Sequence, residues 1–232
     1  MTPGSRRYEE ARAENQRLAT PDQRFGARLG KSTTDRPSSA EALQARLIRQ
    51  ETHTLDEAFD RVSADGSVLA AASAVVAARR RFVMGTGKAF AYASVLAMDL
   101  SAGLAHVSLV DGTLVRHLDI LTDVRDTDVL VAFSFRRYRR ETVTFAEQFV
   151  AAGGVVLAVT DDDDAPLTTI AKHVVVVPTD SASHVDSPTA VAAIAHLLAT
   201  VTTASAKGAR RRLAERERIA TALNIHWESP TP

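Results

Sequence analysis

Short runs of consecutive apolar residues alternate along this chain with longer segments whose apolar residues recur at helical spacing. The runs are rich in Val, Leu and Ala, as in strands that are buried on both faces. They predict five strands, at residues 81–84, 105–110, 128–134, 155–160 and 173–178. Between them the pattern predicts helices at 88–101, about 113–121, 139–152 and 166–171.

This alternation predicts an α/β fold, a flavodoxin-like three-layer α/β/α sandwich around a five-stranded parallel sheet. The common strand order of such doubly wound sheets is 2-1-3-4-5, and ligands bind where the order reverses. We therefore expect the loops after Met84 and Phe133 to face one site.

Helical patterns flank the sheet on both sides. Ser38 or Ser39 can cap a helix that runs to about residue 65, and Ser67 begins a second, Ala-rich helix. A long helix follows from Ser187 or Pro188, and the last helix is strongly charged. Residues 1–40 are polar, and we expect them to be disordered or loosely attached. The predicted organisation is a leader at 1–40, linker helices at 41–80, the α/β domain at 81–206, and a charged helix and tail at 207–232.

Composition narrows the classes of function. Lys plus Arg and Asp plus Glu both number 28, so no whole-molecule basic field favours nucleic acid. The chain has no cysteine, which excludes disulfides and thiolate zinc sites. No apolar run approaches the roughly 18 residues of a membrane span. We expect a cytoplasmic protein with no membrane contact, no metal and no cofactor.

The loop after predicted strand one contains Gly85, Thr86, Gly87 and Lys88, directly before a helix. Free backbone N–H groups at a helix start suit an anion such as phosphate. Glycine spacing does not fit a Walker A loop, and Phe90 stands where a dinucleotide fingerprint has its third glycine. A nucleotide whose ribose binds Asp111, and a purely structural tight turn, are the alternatives.

The loop after predicted strand three is rich in arginine. Ser134 and Thr142 offer hydroxyl groups, and Arg136 and Arg137 lie between them with Arg139 and Arg140. Arginine binds phosphate through its fork of N–H donors, and arginines at a helix start oppose the helix dipole. An anion-binding role therefore explains them better than helix stability does.

Two further loops are candidates. Four carboxylates at 161–164 suggest a metal, but we interpret them as a helix cap and a solvated turn because consecutive side chains point in different directions. The loop at 179–189 carries Ser183 and Ser187, which can bind sugar hydroxyls. It also carries His184 and Asp186, either of which can act as a general base. A loop with a helix N-cap is the alternative interpretation.

At these loops the chain resembles the sugar isomerase (SIS) domain, and in particular the version in bacterial RpiR-type (MurR/RpiR) regulators. The resemblance covers about residues 43–206 and rests on VMGTGKAFAYASVLAMDLS, VLVAFSFRRYRRETV, VVLAVTDDDDAPLTTIAKHVVVVPT and SASHVDSPTAVAAIAHLL. Two departures are Lys88-Ala89, where the family usually has a serine, and Arg136-Arg137, in place of a Ser-Gly pair. The RpiR-type helix-turn-helix domain has no counterpart in residues 1–40, so DNA binding is not expected.

The resemblance implies a phosphosugar or amino-sugar phosphate bound at the strand ends, in a homodimer or homotetramer. By position, the ligand residues would be Gly85, Thr86, Gly87, Lys88, Ser134, Arg136, Arg137, Thr142, Ser183, Asp186 and Ser187. The favoured function is a binding module that senses sugar metabolism, with catalytic residues unknown. The alternatives are an aldose–ketose phosphate isomerase, with His184, Asp186 or Glu141 as the base, and a DNA-bound regulator.

Overall fold

A computed structural model describes residues 20, 22–24 and 40–227. The strands are β1 (Arg80–Gly85), β2 (Val107–Val110), β3 (Asp128–Phe133), β4 (Val155–Thr160) and β5 (His173–Val176). The helices are α1 (Ala40–Asp65), α2 (Ser67–Ala77), α3 (Ala89–Gly103), α4 (His117–Leu121), α5 (Arg140–Ala151), α6 (Thr189–Ser205) and α7 (Ala209–Ala222). A short 3₁₀ helix, Pro166–Thr169, lies between β4 and β5. The expected disorder of residues 1–40 concerns a segment that lies largely outside the described residues.

The five strands form one parallel sheet in the order β2-β1-β3-β4-β5, which confirms the predicted topology. The central strand β3 pairs with β1 on one side and β4 on the other. All its residues are buried. The chain crosses from one half of the sheet to the other between β1 and β3, so their carboxyl ends flank the switch point where α/β sheets bind ligands.

Side chains alternate across the sheet and build two core layers. Val129, Val131 and Phe133 of β3 join one layer, with α2, α3, α6 and the end of α1. Leu130 and Ala132 face the other, with α4 and α5. Both faces of the sheet are therefore covered, as the continuous apolar runs predict.

The helix predicted at 113–121 and the strand predicted at 105–110 both begin later than expected, and each has a local cause. The helix predicted at 113–121 is only His117–Leu121, because the Asp111 carboxylate accepts the N–H groups of residues 113, 114 and 115 at 2.8–2.9 Å and holds them in a turn. The strand predicted at 105–110 begins at Val107, because His106 has a φ of +53°.

Two adjacent arginines anchor the amino edge of the sheet. The Arg81 guanidinium is buried and donates to the carbonyls of Val75, Val76 and Ala105 at 2.7–3.0 Å. Arg80 binds the buried Asp128 carboxylate through two nitrogens, at 2.6–3.1 Å. These contacts fix β1 to the end of α2 and to β3.

Within the described residues, no single helix is long and apolar enough to cross a membrane. Helices α6 and α7 reach the required length and hydropathy only when they are taken together, and the chain bends by 106° between them.

Candidate functional site

A cavity of about 530 Å³ lies at the carboxyl edge of the sheet, over β1 and β3. It brings together the loop after β1, the loop after β3 and the β5–α6 loop (residues 177–188). Its lining residues are Arg24, Thr86, Lys88, Ala89, Tyr92, Phe133, Ser134, Phe135, Arg136, Arg137, Arg139, Thr142, Thr179, His184, Val185, Asp186, Ser187 and Val191. The loops after Met84 and Phe133 therefore face one site, as the strand order predicts.

The loop after β1 turns tightly into α3. A Cβ on Gly85 would lie 2.5 Å from the Ala89 carbonyl oxygen, so only glycine lets the strand approach the helix start this closely. The next residue, Thr86, places its Oγ1 3.0 Å from Oγ1 of Thr142, near the start of α5. No described side chain caps the first turn of α3 or of α5, and these two helix starts, at Ala89 and Arg140, lie beside the cavity.

Ser134 is held by its backbone while its hydroxyl has no partner among the described residues. Its N–H donates to the Val159 carbonyl at 3.1 Å, and its carbonyl accepts from Oγ1 of Thr160 at 2.7 Å. The residue is 3% exposed, and its Oγ makes no hydrogen bond to any described residue. Because a buried hydroxyl without a partner is costly, an acceptor that enters the cavity would satisfy it.

The arginines after β3 separate into two groups. Arg136 turns toward the acidic turn: its N–H donates to Asp161 at 3.2–3.3 Å and its guanidinium to Asp162 at 3.2 Å. The side chains of Arg137 and Arg139 make no hydrogen bond to another described residue. Arg139 lies against Gly87, where a Cβ would come within 3.1 Å of its guanidinium. Positive charge at the cavity therefore comes chiefly from Arg137, Arg139 and Lys88.

The solvated turn predicted at 161–164 is wrong for its first two residues. The Asp161 side chain is 5% exposed and that of Asp162 is 14% exposed. Burial raises the pKa of Asp161 above its ordinary value, although the N–H and the charge of Arg136 oppose the rise. Burial and the Asp161 charge also raise the pKa of Tyr138. This part of the turn supports the loop after β3.

The β5–α6 loop brings Asp186 against two cations. Lys88 Nζ donates to the Asp186 carbonyl at 2.5 Å, and the Arg24 guanidinium pairs with the Asp186 carboxylate. The ring of Tyr92 lines the same side of the cavity, and burial together with the charges of Asp186 and Glu51 raises its pKa to about 12. The phenol therefore stays a neutral hydrogen-bond donor at physiological pH.

Most of the predicted ligand residues line the cavity, but some do not. Gly85 and Gly87 shape the turn without lining it, and Ser183 stands outside the lining with its Oγ 3.5 Å from Nδ1 of His184. Asp111 caps its own loop and is not part of the site. Glu141 is also outside, 3.9 Å from Nε2 of His117.

Sequence reasoning missed three residues of this region, namely Arg24, Glu51 and Tyr92. Tyr92 lies one turn into α3, where an aromatic residue is typical of the core. Arg24 and Glu51 precede the sheet by many residues, and no local pattern distinguishes them from their neighbours. Arg139 carries a signal, since it belongs to the arginine run, but that run does not say which members face the cavity.

The cavity lining combines hydroxyl and cationic side chains with His184, Asp186 and Ala89, the first residue of α3. The described residues, 20, 22–24 and 40–227, contain no group of three or more His, Asp or Glu side chains arranged to hold a metal.

The chain belongs to the SIS domain family, whose model matches residues 75–206. Among solved structures, it is similar to the sugar isomerase domain of an RpiR transcription factor from Sphaerobacter thermophilus, with 25% identity over 76% of this chain and 98% of that one and a TM-score of 0.70. The resemblance to SIS and RpiR-type proteins is therefore confirmed.

Two more distant structures share the fold alone. The Vibrio vulnificus NanR protein complexed with ManNAc-6P is 14% identical, over 80% of this chain and 71% of that one, with a TM-score of 0.66. A phosphoheptose isomerase from Francisella tularensis is 13% identical, over 72% of this chain and 99% of that one, with a TM-score of 0.56. No curated protein matches the chain significantly. Within residues 40–227, no helix-turn-helix domain precedes the sheet.

Proposed function

We propose that this SIS-domain protein binds a phosphorylated sugar or amino sugar at the carboxyl edge of its sheet and acts as a sensor of sugar metabolism. The observation that carries the proposal is Ser134, a residue of the cavity lining whose buried hydroxyl has no partner among the described residues. A phosphate oxygen is the acceptor that best fits its surroundings.

The surroundings of Ser134 suit phosphate in both charge and geometry. The hydroxyls of Thr86 and Thr142 lie within hydrogen-bond distance of each other at the cavity wall. Two helix starts that no described side chain caps add backbone N–H donors and partial positive charge. Arg137 and Arg139 supply cations with fork geometry that matches phosphate oxygens.

A second set of lining residues suits the sugar. Tyr92, Thr179 and His184 carry groups that donate or accept single hydrogen bonds. Such groups recognise sugar hydroxyls, and the Tyr92 ring offers an apolar face to the sugar carbons. We propose that the phosphate lies toward Ser134 and the sugar toward the β5–α6 loop.

A non-catalytic role is supported by the state of the candidate bases. An aldose–ketose isomerase needs a group that moves a proton next to a carbonyl. The Asp186 carboxylate is paired with Arg24, and Glu141 stands outside the cavity. His184 remains as the candidate base for an isomerase, and it lies at an exposed position of the β5–α6 loop.

The likeness to an RpiR transcription factor supports a regulatory role, which we place in the control of transcription through a partner rather than through DNA contacts of this chain. We propose a homodimer or homotetramer in the cytoplasm. Turnover of a bound sugar phosphate would instead make the chain an isomerase.

The proposal is tested by a thermal-shift screen of hexose, pentose and amino-sugar phosphates, followed by calorimetry on the hits. A ligand at 100 times its dissociation constant stabilises the fold by about 2.7 kcal/mol. We expect binding that requires both sugar and phosphate. The double variant S134A/T142A should bind about tenfold more weakly or worse, since it removes two hydroxyl donors.

Thr169→Ala is the matched control, because Thr169 is exposed in the 3₁₀ helix, outside the cavity. It should bind like wild type. Equal affinity of S134A/T142A and wild type would contradict the assignment of the phosphate end, and the absence of any hit would contradict the proposed function itself.

A further inference from the structure

The β5–α6 loop, which lines the cavity with His184, Asp186 and Ser187, is held largely by residues outside the matched SIS region. Oγ1 of Thr54 on α1 donates to the Asp180 carbonyl at 2.9 Å. Arg24 pairs with Asp186. Both Thr54 and Arg24 precede residue 75, where the family match begins.

Glu51 on α1 makes the most extensive of these contacts. Its Oε1 accepts from Ser181 at 3.0 Å, and its Oε2 accepts from Thr189 at 2.6 Å and from Ser187. These three hydroxyls stand at the beginning and end of the part of the loop that carries His184 and Asp186. The Glu51 carboxylate therefore fixes both ends of the loop segment at residues 181–189, which lines the cavity.

The chemistry of the Glu51 contacts favours a rigid loop segment at residues 181–189. Hydrogen bonds to an ionised carboxylate are stronger than those between neutral groups. Ser187 is 1% exposed, so water competes little for its hydroxyl. A backbone hydrogen bond also joins the two ends of the loop, because the Ser187 N–H donates to the Thr179 carbonyl at 2.9 Å. Without Glu51, the loop has to be ordered when a ligand binds, and affinity falls accordingly.

We propose that Glu51 is a positioning residue for the ligand site and that it couples the occupancy of the site to α1. The proposal rests on the proposed function, whose ligand would contact the same loop. Coupling between two sites is reciprocal: if α1 orders the loop for the ligand, the ligand strengthens the hold of the loop on α1. In a sensor, α1 would then be the element that reports the bound sugar.

The experiment compares wild type, Glu51→Ala and Glu51→Gln by hydrogen exchange without ligand and by calorimetry with the phosphosugar hit of highest affinity. Amides of residues 180–189 should exchange faster in the variants, most in Glu51→Ala, while those of β3 and β4 stay as in wild type. Affinity should fall about tenfold, because the loop then has to be ordered when the ligand binds. Glu51→Gln should recover part of the loss because one acceptor oxygen remains.

The matched control is Asp56→Asn, an exposed carboxylate on the same helix, which should change neither measurement. In wild type, ligand should also slow exchange in α1 around Glu51, and this protection should be lost in Glu51→Ala. Unchanged exchange of residues 180–189 in Glu51→Ala would overturn the positioning role, even if affinity fell. Wild-type affinity in Glu51→Ala would overturn it as well.

The two proposals fail in different ways. If no phosphosugar binds wild type, the proposed function fails, while the ligand-free exchange comparison still decides whether Glu51 orders the loop. If phosphosugar binds but leaves exchange in α1 unchanged, the coupling is refuted and the proposed function stands.

Discussion

The two edges of the sheet use arginine in opposite ways. At the amino edge, Arg81 is bound by three carbonyls and Arg80 by the buried Asp128. At the carboxyl edge, Arg137 and Arg139 have no hydrogen-bond partner among the described residues, and the Ser134 hydroxyl is buried without one. The two arginines at the amino edge are fully paired, whereas Arg137 and Arg139 have donors that no described residue accepts.

Under the proposed function, this difference separates the arginines that serve stability from those that serve binding. A buried charge that is fully hydrogen-bonded contributes to the fold, and removing it leaves its partners unsatisfied. An exposed arginine beside the cavity with no hydrogen-bond acceptor among the described residues should contribute little to stability, so we expect its removal to change affinity instead. Substitutions at the two edges should therefore separate stability from affinity.

The largest effect is expected from Arg81→Met. The variant leaves the carbonyls of Val75, Val76 and Ala105 without their donor, and the contact with Val75 is buried, so we expect the free energy of unfolding to fall by about 3 kcal/mol. Urea denaturation measures it. Arg79→Met, at an exposed neighbouring position, is the control and should lie within about 0.5 kcal/mol of wild type. A loss below about 1 kcal/mol for Arg81→Met would remove the distinction between the edges.

A smaller effect of a different kind is expected from the double variant R137Q/R139Q. Phosphosugar affinity should fall about tenfold, equivalent to about 1.4 kcal/mol, and its salt dependence should weaken because two cations are lost. The free energy of unfolding should stay within about 0.5 kcal/mol of wild type. Calorimetry at several ionic strengths checks the first result and urea denaturation the second.

Arg140→Gln is the control for this pair, since Arg140 belongs to the same run but does not line the cavity. If R137Q/R139Q destabilises the chain as strongly as Arg81→Met does, the two edges are alike and the arginines after β3 are structural.

The smallest effects concern two buried carboxylates whose pKa values move in opposite directions. Burial opposes ionisation of Asp128, yet hydrogen bonds from Arg80 and from the Arg125 N–H hold its pKa below the ordinary value. Its stabilisation is therefore complete above the ordinary pKa of about 4 and is lost as the pH falls through the lower, folded-state value. Burial raises the pKa of Asp161, so its ionised form costs stability above the folded-state value, and this cost disappears as the pH falls.

Urea denaturation between about pH 2.5 and 7 should show both signs. The free energy of unfolding of Asp128→Asn should approach that of wild type below about pH 4. The free energy of unfolding of wild type should rise relative to that of Asp161→Asn as the pH falls from neutrality toward about 4. Asp126→Asn, at an exposed position, is the control. Parallel curves for Asp128→Asn and Asp161→Asn would show that the two sites respond to pH in the same way.

Much of this architecture is predictable because it rests on local patterns. Apolar runs such as 155–160 become the predicted strands, since a parallel sheet buries both faces of each strand. Ser134, Lys88 and Thr142 were predicted at the site because parallel strands end at one edge. The acidic turn was misinterpreted at Asp161 and Asp162, because their pairing with Arg136 depends on a segment that is distant in sequence.

Hydrophobic periodicity and the rules of strand connection act over short distances, so they predict the fold class, the common strand order and the loops that meet at the carboxyl edge. Which polar groups are satisfied follows only from the folded chain. There Arg136 pairs with Asp161 and Asp162, the Ser134 hydroxyl has no partner among the described residues, and Glu51 reaches the β5–α6 loop. Hydrogen bonding and burial depend on contacts between segments far apart in the chain, and a linear pattern carries no record of those contacts.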